Sequence, residues 1–302
     1  MHYSEKGGTK MLWVTLLNVL ITLAEFVGGF LSGSLSLLSD AVHNLGDTLS
    51  VAFAYAAMRI SGRRASLRYT FGYKRAEILA AFVNAALLIA ICLFLLKEAY
   101  DRFISPEEVD STLMLIVAVI GLLANLFSVI ILRREKEHSI NTRAAYLHLL
   151  GDTLSSVAVI LGALAMLFWE VFWIDPLITL LVSLYIIIHT WDVLKEATDI
   201  LMQSAPEGID IPDVIARIEA LPEVENVHHL HLWRLNEDQV HFEAHITVSP
   251  AVGMQEMAQV RQQIQTLLEA HHISHSTLQV ELDGCAECDE LIVDEGRAPA
   301  KF

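Results

Sequence analysis

His43-Asn44-Leu45-Gly46-Asp47-Thr48-Leu49-Ser50 returns with a single change as His148-Leu149-Leu150-Gly151-Asp152-Thr153-Leu154-Ser155. Each copy sits inside an apolar run long enough to cross a bilayer. In a helix, His and Asp four apart share one face, one turn above the other. Two membrane helices would each present an imidazole and a carboxylate at similar depth. The flanking sequences agree poorly, so the repeat is a helical face made twice rather than a duplicated chain.

An Asp at the centre of a membrane helix costs about 2.5–3.5 kcal/mol on insertion scales, so such residues face a cavity or a partner. Helix packing alone would be served by Asn or Ser at lower cost. His43, Asp47, His148 and Asp152 form a two-nitrogen, two-oxygen donor set that suits tetrahedral zinc. Cadmium, cobalt and iron(II) accept the same donors, so donor type leaves the ion open among these. A divalent ion would cancel the two carboxylate charges. Without it, two close carboxylates attract protons, and that competition for the same lone pairs is the physical basis of metal/proton exchange. Gly46 and Gly151, beside the carboxylates, are expected to let the two helices approach closely enough to share one ion. Asp40, one turn before His43, reads either as a carboxylate behind the site or as a helix N-terminal acid. Glu25, Asn18, Asn84, Asn125 and His189 read as hydrogen-bond partners between helices rather than ligands.

Outward from the repeat, six apolar runs cover about 11–31, 36–58, 77–97, 112–132, 144–168 and 176–194, each near the ~20 residues a spanning helix needs. The first run is expected to be a membrane helix rather than a cleavable signal, because no small-residue cleavage site followed by polar sequence succeeds it. In the N-terminal segment and the short loops between these runs, twelve Lys and Arg fall on one side and only Lys97 and Arg102 on the other. The positive-inside bias then places the N-terminus, the 59–76 and 133–143 loops and the tail in the cytoplasm of a multi-pass inner-membrane protein. The expected domains are a cytosolic segment 1–10, a six-helix membrane domain 11–200, a cytosolic domain 201–285 and a polar tail 286–302.

The net charge of -16 is concentrated in the last third. Residues 196–302 hold 5 Lys+Arg against 20 Asp+Glu, an acidic balance that excludes nucleic acid as a partner and suits cation handling. From Ile209 the pattern is that of a small α+β domain. Asp210-Ile211-Pro212 opens a helix with Val214, Ile215, Ile218 and Leu221 on its apolar stripe. Strands follow near 225–235 and 239–248, then a helix near 254–271 and a strand at 277–282. The order αββαβ predicts one open sheet with both helices on a single face. Eight of the 13 histidines fall in this domain, with His229 and His231 expected on one face of the first strand and His241 and His245 on the polar face of the second.

The repeated His-x-x-x-Asp, the six spans, the Phe71-Gly72-Tyr73-Lys74-Arg75-Ala76-Glu77 segment and the αββαβ tail resemble the cation diffusion facilitator family. Within it the chain is similar to bacterial zinc exporters and vesicular zinc transporters. The resemblance covers about residues 10–285. It implies an α-helical membrane protein with a ferredoxin-like, metallochaperone-like cytosolic domain, a homodimer in the lipid bilayer, and metal/proton antiport out of the cytoplasm. It also implies that Zn2+ is both cargo and regulatory ion, that protons are the counter-ion, and that there is neither enzyme activity nor an organic cofactor. It carries over His43, Asp47, His148 and Asp152 as the transport site. For the cytosolic domain it carries over His228, His231, His245, His275, Glu281, Cys285 and Cys288 as metal ligands. Metal bound there is expected to draw two acidic tails together. Tyr69 and Tyr73 stand where some members have loop histidines, so a metal site in the loop between spans two and three is expected to be absent. Two other readings compete. A membrane-anchored metal sensor would bind without flux. An intramembrane zinc enzyme would need an open coordination position that four protein ligands deny it.

Overall fold

The computed structural model describes the backbone of residues 5–132, 140–282 and 291–292, and the side chains of 15–131, 149–282 and 291–292. Six long helices come first: α1 (Glu5–Ser32), α2 (Leu35–Ser61), α3 (Ala76–Ile104), α4 (Ser111–Leu132), α5 (Ile140–Trp169) and α6 (Ile174–Leu201). Together they make the transmembrane domain. Among the described residues, all but α2 are apolar enough to cross a membrane by length and composition alone. The exception is the helix that carries Asp40, His43, Asp47 and Arg59, and these four residues account for its polarity. Helix α3 runs past its expected end at 97, where Lys97–Asp101 (2.7 Å) and Arg102–Glu98 (3.4 Å) pair one turn apart and support a further turn of helix in water.

A tight turn at Gly33, with φ of 73°, joins α1 to α2. The first turn of α2 would leave backbone N–H groups without partners. Asp175, fully buried at the start of α6, supplies them. Its carboxylate accepts from the Leu35 amide (2.7 Å), the Ser36 amide (3.2 Å) and the hydroxyls of Ser34 and Ser36 (2.6 Å each). The positive end of the α2 dipole adds to that stabilisation. Two glycines set the approach of α1 to α4. A Cβ at Gly28 would stand 2.6 Å from Val117, and one at Gly121 2.7 Å from the Glu25 carboxylate.

The chain divides into two compact units, Met1–Arg59 with Ala80–Lys195, and Ile60–Leu79 with Glu196–Phe302. The second contains α7 (Ile211–Glu219), β1 (Val224–Arg234), β2 (Val240–Val248), α8 (Met254–Ala270) and β3 (His275–Glu281). Asp210 caps α7 by accepting from the Asp213 amide at 3.2 Å. The sheet has the order β1-β2-β3, with β1 antiparallel to β2 and β2 parallel to β3. Val240, Phe242, Ala244, Ile246 and Val248 turn one face of β2 into a core closed by Val214 and Ile218 of α7 and Val260, Ile264 and Leu268 of α8. Each large side chain buried there contributes about 1.5–3 kcal/mol. Both helices thus lie on one face, as the αββαβ order predicts, and the opposite face is left to the histidines.

One feature of β1 escapes period-two reading. Its register passes from His228↔His245 to His231↔Glu243, three residues on β1 against two on β2. The extra residue is a bulge, and His229 there has φ of 50°. In the same unit the segment before α3 meets the sheet. Phe71 sets its ring edge-on to Trp233 and His241, at 6.1 and 5.6 Å, and the Arg75 guanidinium lies 5.7 Å from the centre of the Trp233 ring.

Candidate metal centres

Helix α2 presents Asp40, His43 and Asp47 on successive turns, and α5 brings Asp152 against them. His43 Nε2 stands 3.3 Å from Asp152 Oδ1 and 3.8 Å from Asp47 Oδ2. One ligand atom from each of the three lies within 4.8 Å of the others. An ion held at about 2.0–2.2 Å by tetrahedral N and O donors needs them about 3.4 Å apart, so small rotamer changes would close the group on a metal. Asp152 is buried; His43 and Asp47 are half-buried. His148 lies one turn before Asp152 on α5, and its side chain is outside the described residues.

The surroundings hold these groups in place. Ser155, one turn after Asp152, donates to the buried Asp40 carboxylate at 2.7 Å and so ties α5 to α2. Asn44 donates to Glu25 at 2.8 Å, joining α2 to α1. Asn84 donates to Ser50 at 2.7 Å and Asn125 to Ser156 at 3.5 Å, while His189 pairs with the Tyr185 carbonyl on its own helix at 3.0 Å. The contacts of Glu25, Asn84 and Asn125 join different helices, as expected, whereas that of His189 stays within α6. The role of Ser155 was legible only as a hydroxyl three residues beyond Asp152, on the same helical face.

The octet glycines do something other than expected. A Cβ at Gly46 would meet Leu88 of α3 at 3.0 Å, and one at Gly151 would meet nothing within 4 Å. Neither glycine brings α2 and α5 together. The two helices are joined instead through His43–Asp152 and Ser155–Asp40.

The sheet of the second unit carries a second group. Glu281 lies 3.0 Å from His245 Nδ1 and 3.4 Å from His228 Nε2, and the three donors fall within 4.8 Å of one another. His228 is buried, and its Nδ1 sits 3.1 Å from Asn226 Oδ1, which fixes the ring and leaves Nε2 facing the carboxylate. The bulge lets consecutive residues reach one spot: the His229 ring stacks on His245 at 4.6 Å while His228 meets the same ring edge-on at 5.3 Å. Of the expected ligands, the structure brings together His228, His245 and Glu281. It does not bring His231 into that group, since His231 lies opposite Glu243 with its ring 5.2 Å from His229. His275 stands opposite His241 instead. Burial lowers the pKa of His241, and the neighbouring His275 lowers it further. Cys285 and Cys288 lie outside the described residues.

Comparison with known proteins gives this geometry its setting. The family model of the cation efflux transmembrane domain matches residues 11–202, and that of the cation efflux protein cytoplasmic domain matches residues 206–283. The metal cation efflux system protein CzcD of Cupriavidus metallidurans is 38% identical over 289 residues, covering 95% of this chain and 91% of its own length. The zinc transporter ZitB of Yersinia pestis is 41% identical over 293 residues, with 95% and 92% covered. A cadmium, cobalt and zinc/H(+)-K(+) antiporter of Bacillus subtilis is 36% identical over 287 residues, with 93% and 92% covered. These relatives are transporters, not enzymes. With both of its domains matched in order and along nearly their whole lengths, the chain belongs to the cation diffusion facilitator family of cation efflux proteins.

Proposed function

We propose that the chain is a zinc exporter of the inner membrane, working as a homodimer and exchanging the metal for protons. The observation that carries this reading is the convergence of His43, Asp47 and Asp152 from α2 and α5 within 4.8 Å. His148, one turn before Asp152, completes a two-nitrogen, two-oxygen site. Zn2+ enters from the cytoplasm, cancels the two carboxylate charges, and crosses as the helices rock about a fixed site near the bilayer midplane. On the far side protons displace it, with His43 and His148 as the acceptors nearest the working pH range. The names of the Yersinia and Bacillus relatives support zinc and proton exchange, respectively.

The tail group of His228, His245 and Glu281 is read as regulatory, with Cys285 and Cys288 as added ligands. Two copies of an acidic tail repel each other, and bound cations relieve that repulsion. Zinc loading therefore closes the pair of tails and favours transport. Proteoliposomes under a pH gradient test the main reading: zinc flux is expected to vanish in Asp47→Ala and in Asp152→Ala. Undiminished flux in both would end it.

A further inference from the structure

Four residues before His245, a second pair of imidazoles faces the same side of the sheet. His241 and His275 are partners in the parallel β2–β3 register, with ring centroids 4.8 Å apart and planes at 51°. Glu281 stands opposite Thr247 at the far end of β3, six residues and therefore about 20 Å along the strand from His275. The two groups are thus separate places on one face. We propose that His241 and His275 form a second cation site on the tail domain, taking a d-block divalent ion such as Zn2+ through two imidazole nitrogens, with solvent completing its shell.

The geometry carries this. Two imidazoles bound to one tetrahedral ion at about 2.0–2.1 Å hold their ring centroids about 5 Å apart. The observed separation matches without backbone movement, and the 51° tilt is neither parallel stacking nor an edge-to-face contact. His241 is held in place by its neighbours: Trp233 stacks on it at 4.5 Å and 16°, and Phe71 meets it edge-on at 5.6 Å. Only the exposed His275 has to turn. Imidazole donors in an acidic domain draw in cations, and they favour zinc, nickel and copper over magnesium and calcium, which prefer oxygen.

The site rests on the tail domain alone and stands or falls separately from transport. Zinc bound per chain, measured by equilibrium dialysis and elemental analysis on the full-length protein in detergent, tests it. His241→Gln and His245→Gln are each expected to lose one ion, and the double variant two. Excess magnesium is expected to displace neither. His275→Gln must reproduce His241→Gln, and being exposed it also decides the matter should His241→Gln not fold. A full complement of zinc in His275→Gln, or a double variant that loses no more than His245→Gln alone, overturns the proposal.

Discussion

Two groups of the same donor types occur in this molecule on opposite kinds of scaffold. His43, Asp47 and Asp152 converge from two membrane helices, whereas His228, His245 and Glu281 converge from three strands in a water-facing domain. The helical group holds two carboxylates and the strand group one. In a low-dielectric span the charge balance decides whether an ion can be accepted at all. On a wet surface it only adjusts affinity. Under the proposed function, the same donor types would serve passage in one place and occupancy in the other.

Removing one charge from each group, with shape kept, tests that difference most sharply. Asp152→Asn leaves a loaded membrane site with an uncancelled charge, costing about 2.5–3.5 kcal/mol on insertion scales. Zinc flux in proteoliposomes is expected to fall about 100-fold, since each ~1.4 kcal/mol is a factor of ten. Glu281→Gln is expected to weaken zinc binding by the tail about tenfold and to slow flux only a few-fold. Equal losses in the two variants would erase the distinction.

A third buried carboxylate separates structure from transport within the membrane domain. Asp175 has four hydrogen-bond donors around it at the start of α2. Asp175→Ala is expected to cost about 3 kcal/mol, because several buried donors lose their acceptor together. It should lower the thermal midpoint in detergent while the cold, folded protein still binds its full complement of zinc. A loss of one zinc per chain with an unchanged midpoint would instead make Asp175 a ligand.

How much of this could be read in the sequence follows from the scaffolds. The membrane group was legible because His-x-x-x-Asp on a helix fixes its own geometry, and an acid inside an apolar run is too costly to stand there without a partner. The sheet and its two helices were legible from the alternation along Val240–Val248 and the stripe of Val214, Ile215 and Ile218. The strand group was legible only in part. Its three residues come from three strands whose register depends on the bulge at His229, and no local pattern announces a residue that shifts phase. Asp175 as the cap of α2 was equally hidden, since it lies about 140 residues from the amides it serves.

The strand face also has a pH dependence of known sign. His241 has a lowered pKa through burial and the neighbouring His275, so below its ordinary value the unfolded chain binds more protons than the folded one. Stability is complete above about pH 6.5 and falls as pH drops through the folded-state value. Amide exchange along β2, compared at about pH 5 and about pH 7.5, is expected to reveal weaker protection at the lower pH, and less so in His241→Gln. An identical loss of protection in both proteins would assign the effect to other groups.

The smallest expected effect lies between the two copies of the octet itself. Its glycines have identical neighbours in sequence and different neighbours in space. At Gly46 an added Cβ lands 3.0 and 3.1 Å from the two methyls of Leu88, tighter than comfortable contact yet against the end of a flexible side chain. At Gly151 it meets open space. Gly46→Ala is therefore expected to cost about 1 kcal/mol, as overpacking does at its mild end, and to slow flux slightly by shifting α2 against α3. Gly151→Ala should leave both stability and flux unchanged, because the contacts between α2 and α5 run through His43, Asp152, Ser155 and Asp40. Should Gly151→Ala prove the more damaging of the two, the glycines would be holding α2 and α5 together after all, and the ion would depend on that close approach rather than on the side chains that now bridge the helices.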